Sequence, residues 1–173
     1  MRILLTGLLL CAVPAAAQEG GLEYQVKAAY LFNFTKFVEW PDMTLQNATA
    51  FSICTARINP FGRALLSIVA DENAAMLPLA ARVVSADEAA ACHVLFVPRG
   101  VAAAPYLRAV ASSPVLTVGE SPEFLAQGGA INFVVEDGRV RFVINQAAAE
   151  RVRLRISSRL LQLGRAADSQ GND

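Results

Sequence analysis

Glu23 to Pro41, EYQVKAAYLFNFTKFVEWP, is the longest apolar-periodic stretch after the first 17 residues, and the remainder reads as a sheet against which it packs. At about 100° per residue, Val26, Phe37, Tyr30, Phe34, Val38, Leu31 and Tyr24 fall in one arc, with Glu39, Lys36, Asn33 and Thr35 opposite. The spacing predicts an amphipathic helix stopped at Trp40–Pro41, because the residue before a proline is pushed out of the α region. Two residues break the pattern. Lys27 lies inside the apolar arc and reads first as a stem laid over apolar surface with its ammonium in water; the alternative is a partly buried lysine paired to a carboxylate. Phe32 lies among the polar residues, either as a smaller second contact or as an exposed anchor for a partner.

Downstream, short apolar runs alternate with helical patterns. Ala50–Cys54, Leu79–Val84, His93–Val97 and Val115–Val118 read as buried strands. Asn59-Pro60 reads as the capped start of a helix, Ser85–Ala91 as a short turn, Val101–Ala111 as a helix, and Ser121-Pro122 as the start of a short helix over Glu123–Gln127. Ala130–Glu136 and Arg139–Asn145 flank Asp137-Gly138, a strong type I′ hairpin signal. Gln146–Glu150 and Val152–Leu163 read as helical, and Arg151, Arg153, Arg155 and Arg159 as a solvated helix face. Four strands interleaved with helices, then a hairpin, predict a three-layer α/β fold: a mainly parallel sheet with an antiparallel C-terminal hairpin and helices on both faces. No repeat or linker divides it.

The chain has 173 residues, is 54% hydrophobic and 17% charged, and carries no net charge, which suits one well-filled globular domain and argues against a nucleic-acid partner. Met1–Ala17 has the marks of an export signal: Arg2, the apolar run Ile3–Val13, and Ala15-Ala16-Ala17 before Gln18. The expected division is a leader at 1–17 cleaved near Ala17/Gln18, a domain at 18–164 and a polar, frayed tail at 165–173, with no segment inserted in the membrane. The signal suggests a bacterial periplasmic protein. Cys11 would leave with the leader, so two cysteines remain, Cys54 and Cys92. An even pair in an oxidising compartment reads as a disulfide. Against it, simple parallel register would hold the two Cα atoms beyond 7 Å; a bond formed there would be strained and reducible, a redox-sensitive staple.

Candidate chemistry is sparse. His93 begins a buried strand and reads as a satisfied core imidazole rather than a catalytic base. Ser121 lacks the frame of a nucleophile elbow, and two cysteines with one histidine make no convincing zinc site. No nucleotide-binding glycine motif is present. The reading is of a protein that is not an enzyme and has no metal or cofactor. The most suggestive polar position is Glu120, beyond the carboxyl end of a parallel strand, where open α/β sheets place ligand crevices. Paired there with Lys27 or Arg63, it defines either a small-ligand crevice or a structural ion pair.

Taken together, Lys27–Pro41 (KAAYLFNFTKFVEWP), Cys92–Val97 (CHVLFV), Leu116–Phe124 (LTVGESPEF), Gly128–Phe133 (GGAINF), Arg141–Asn145 (RFVIN) and Leu154–Leu163 (LRISSRLLQL) resemble the YfiR family of periplasmic regulators, in order and over nearly the whole chain after the leader. The resemblance implies a non-enzymatic repressor that binds the periplasmic sensor domain of an inner-membrane diguanylate cyclase and releases it under envelope or redox stress, raising cyclic di-GMP and favouring biofilm. It further implies a homodimer, and it supports the Cys54–Cys92 disulfide, although a second cysteine pair found in some relatives is missing. Phe32, Glu39 and Trp40, at the end of the opening helix, are the residues expected to touch the partner. The competing function is a periplasmic small-ligand-binding protein using the crevice near Glu120 and Lys27.

Overall fold

In the computed structural model, which describes residues 15–71 and 77–167, the four short apolar runs become neighbouring parallel strands. The opening stretch is a helix, α1 (Ala15–Phe37). It is followed by β1 (Val38–Glu39), the short helix α2 (Asp42–Gln46), β2 (Phe51–Ala56), α3 (Ala64–Asp71), β3 (Leu79–Val84), β4 (Val94–Val97), α4 (Ala103–Ala109), β5 (Leu116–Gly119), β6 (Ile131–Glu136), β7 (Arg139–Ile144), α5 (Gln146–Arg151), β8 (Arg155–Ile156), α6 (Ser158–Leu163) and β9 (Arg165–Ala166). A 3₁₀ turn at Ala89–Ala91 leads into β4.

The large sheet has the order β3-β2-β4-β5-β6-β7-β9, parallel from β3 to β6, with β7 antiparallel to β6 and β9 parallel to β7. Two apolar layers cover it. On one face Phe51, Ile53, Phe96, Val118 and Phe133 meet Leu31 and Phe34 of α1, Leu65 of α3, Ala148 and Ala149 of α5 and Leu160 of α6. On the other, Cys54, Leu95 and Val97 meet Tyr106 of α4 and Phe124. The three-layer α/β reading therefore describes the molecule. Asp137 (φ 50°) and Gly138 (φ 69°) occupy the left-handed region that a type I′ turn demands.

Several boundaries differ from expectation. α1 stops at Phe37, three residues short of Trp40, because Val38–Glu39 pair antiparallel with β8. The helix expected over Val152–Leu163 is broken: Arg153 takes φ 63°, Arg155–Ile156 form β8, and Ser157 restarts a helix by accepting a hydrogen bond from Leu160 N–H at 3.3 Å. No helix forms at Glu123–Gln127, which is a run of turns. Asn59 does not cap α3; its side chain accepts from Phe61 N–H at 3.0 Å in a turn before the helix starts at Ala64. Paired structure also continues past residue 164, since Arg165–Ala166 join β7. Residues 1–14 of the expected leader and 168–173 of the expected frayed tail lie outside the described residues, and the cleavage point expected near Ala17/Gln18 falls in the first turn of α1.

Candidate functional site

The sheet reverses direction of growth at β2, with β3 on one side and β4 on the other, and the crevice beyond the carboxyl ends of such strands is where open α/β folds take ligands. Glu120 follows β5, two strands along from β2, and α1 lays Lys27 against it. Lys27 is completely buried, and its ammonium pairs with both Glu23 and Glu120. Glu120 is 3% exposed, and its Oε1 accepts from Tyr24 Oη–H (2.8 Å) and the Arg99 main-chain N–H (2.7 Å). Tyr24 stacks edge-on against Phe61 at 5.7 Å, and Lys27 Nζ lies 4.8 Å from the Tyr24 ring centre. Burial, and then the bond to Glu120, push the Tyr24 hydroxyl well above its ordinary pKa. The snorkelling lysine expected first is thus replaced by the buried pair. A lysine in the middle of an apolar arc has no path to water once the strand ends close over it. Arg63 is exposed and makes no ion pair among the described residues, so the three-residue crevice of Lys27, Arg63 and Glu120 does not assemble.

Cys54 lies on β2 and Cys92 at the exit of the 3₁₀ turn, and the structure joins them with a Cα–Cα distance of 6.0 Å across 38 positions of sequence. The geometric objection fails because Cys92 precedes the strand: the turn crosses the sheet face and brings Cys92 over β2, inside the usual range for a disulfide. His93, next in sequence, is buried. Its Nδ1 accepts from Ser52 N–H at 3.0 Å, and its ring stacks on Phe51 at 4.5 Å. Burial holds this imidazole below its ordinary pKa, against a hydrogen bond to the Thr44 main chain that raises it and with a smaller lowering from Arg82. Phe51 in turn meets Trp40 edge-to-face at 5.0 Å. The main-chain link from Cys92 to His93, and then the ring contacts of His93 with Phe51 and of Phe51 with Trp40, lead from the disulfide to Trp40.

Trp40, Phe32 and Glu39 border one groove of about 570 Å³, whose lining also includes Phe51, Leu45 and Leu79. Phe32 and Trp40 are walls of this groove rather than protruding anchors, being 9% and 7% exposed. Lys36 Nζ covers the Phe32 ring at 4.2 Å, and Glu39 stands at the surface, 3.8 Å from Arg155. The Trp40 indole N–H is buried without an acceptor among the described residues. The sequence singled out Phe32, Glu39 and Trp40 as expected partner contacts, and it gave no sign that Leu45, Phe51 and Leu79 line the same groove. Each came from a segment read only for its own strand or loop, and nothing in a single sequence says that these segments converge.

The sequence pattern of the YfiR/HmsC-like family matches residues 24–165, most of the chain. The chain belongs to that family. At family level a YfiR/HmsC-like chain is a periplasmic regulator of diguanylate cyclase rather than an enzyme, and its partner, in general terms, is a membrane-bound cyclase. No curated relative matches this YfiR/HmsC-like chain. Among its described residues no helix is long and apolar enough to cross a membrane.

Proposed function

We propose that this protein is exported, loses its leader near Ala17/Gln18, and as a homodimer binds the periplasmic sensor domain of an inner-membrane diguanylate cyclase in its inactive conformation. Cyclic di-GMP and biofilm formation fall while the complex holds. A repressor of this kind shifts the cyclase only by as much as it prefers the inactive state. Phe32, Glu39 and Trp40 contact the sensor domain, and the Cys54–Cys92 bond sets the fraction of repressor competent to bind.

The observation that carries this reading is the path from Cys92 along the main chain to His93 and by ring contacts through Phe51 to Trp40, which links the disulfide on one face of β2 to the groove on the other. Reduction would release the turn before β4 and allow His93 to leave Phe51, so that this wall of the groove loses the ring stacked behind it. A competing role in small-ligand binding at Lys27 and Glu120 is not supported, because those two side chains neutralise each other and fill the crevice.

The test is deletion of the gene in its native host with cyclic di-GMP measured, followed by complementation with the parent chain or with Cys54→Ser/Cys92→Ser. Deletion should raise cyclic di-GMP, the parent should restore it, and the serine variant should restore it only in part. An unchanged level in every growth condition ends the repressor reading.

A further inference from the structure

Strand β3 ends the large sheet and pairs only with β2 among the described residues. An outermost strand offers its outward main-chain N–H and C=O groups to whatever approaches, and proteins ordinarily blunt such an edge with charge, proline or a bulge. β3 does little of this. Its register with β2 runs unbroken from Leu79 to Val84, and its single charged residue, Arg82, turns its guanidinium to Ala91 O at 3.4 Å. Val83 is 52% exposed, a large apolar side chain on an open edge. Leu79, Ala81 and Val83 lie on the sheet face of Phe51, and Leu79 is itself part of the groove wall. Groove and edge are therefore continuous.

We propose that the free edge of β3 and the groove at its start form one docking surface for an extended segment of the partner cyclase's periplasmic domain. This rests on the repression reading above. The segment adds a strand beside β3, and one large apolar side chain from it enters the groove over Phe32, Phe51 and Leu79. Main-chain pairing supplies affinity, and the groove selects the side chain. An extended peptide is the occupant because it alone uses both features, whereas a small molecule in the groove leaves the strand edge bare. A second copy paired through β3 in full antiparallel register would set Arg82 opposite Ala81, and crosslinking from position 83 distinguishes it from a cyclase segment. Lys36, Glu39 and Asp42 at the rim carry both signs, which suits a segment of little net charge.

The test places a photo-crosslinking amino acid at Val83, at Leu45 on the groove rim, and at Val135 on the distant hairpin, in cells making the full chain, and identifies the linked peptides by mass spectrometry. Positions 83 and 45 should each capture one contiguous segment of a membrane diguanylate cyclase, with position 135 silent. The sensor domain so identified, purified, should bind Val83→Pro about tenfold or more weakly than Val83→Thr at matched thermal stability. If the proline variant does not fold, the crosslinks still decide. Capture of the cyclase from position 135 alone overturns the docking surface while leaving repression intact. Capture of a second copy from position 83 overturns it in favour of self-pairing. Absence of any cyclase product, together with unchanged cyclic di-GMP on deletion, overturns both this inference and the function it rests on.

Discussion

Replacing Lys27 with methionine tests whether the ion pair beyond the carboxyl end of β5 is a structural element. The side chain is wholly buried, and methionine keeps most of its length, so the cavity term is small. What changes is charge: Glu120, 3% exposed, would keep only the Tyr24 hydroxyl and the Arg99 N–H as partners. Removing one member of a buried pair costs about 3–5 kcal/mol, and the two surviving hydrogen bonds put this site near the lower end, about 3 kcal/mol. For a domain of this size that corresponds to a fall in Tm of about 6–12 °C. The assay is urea unfolding of the oxidised protein, in which the midpoint should drop without a change in slope. Adding Glu120→Gln to the methionine variant removes the stranded charge yet leaves an amide oxygen for Tyr24 and Arg99, and should recover about 2 kcal/mol as coupling between neighbouring sites. A methionine variant within about 1 kcal/mol of the parent, or a double variant no more stable than the single, refutes the argument, because either result means the charge was never sequestered.

Three other perturbations follow from the same structure. Cys54→Ser/Cys92→Ser opens a loop spanning 38 positions and should cost about 3–4 kcal/mol in the chain-entropy account, read as a lower urea midpoint than the oxidised parent. Gly119→Ala places a methyl 2.3 Å from the Phe124 ring, and Gly129→Ala places one 2.1 Å from it; each should destabilise by about 2–3 kcal/mol or more, and Phe124→Leu should partly rescue either one in thermal melts. Because burial lowers the His93 pKa, its neutral form belongs to the fold. Its contribution is whole above about pH 6.5 and is lost as pH falls through that value and below, so His93→Gln should flatten the decline of stability with acidification.

The sheet was legible because its strands are short, continuous apolar runs between turn residues, and the hairpin because Asp137-Gly138 admits almost no other geometry. β8 was obscured by its neighbours: Arg153-Leu154-Arg155-Ile156 alternates with period two, but a following leucine-rich run drew the whole stretch into a helical reading. Lys27 misled for a different reason. Whether a lysine within an apolar arc reaches water depends on what closes over it, and its carboxylate partner Glu120 is 93 positions away. The groove was half visible, since Phe32, Glu39 and Trp40 come from one segment, while Phe51 and Leu79 reach it only through the pairing of β2 with β3. The disulfide followed from cysteine number and family likeness; the path of the 3₁₀ turn that makes it feasible left no trace in the spacing.

The pairing of β1 with β8 has a bearing on biogenesis. Val38 and Glu39 find their partners, Ile156 and Arg155, only beyond β7 and α5, and Ser157 N–H reaches back to Phe37 O at 2.9 Å. A polypeptide delivered amino end first, from a ribosome or through a secretion pore, holds one jaw of this buckle early and waits for the other until β2 to β7 have emerged. Closure of this pair waits on every strand of the large sheet from β2 to β7, so Arg155–Ser157 act as the latch on a sheet already delivered.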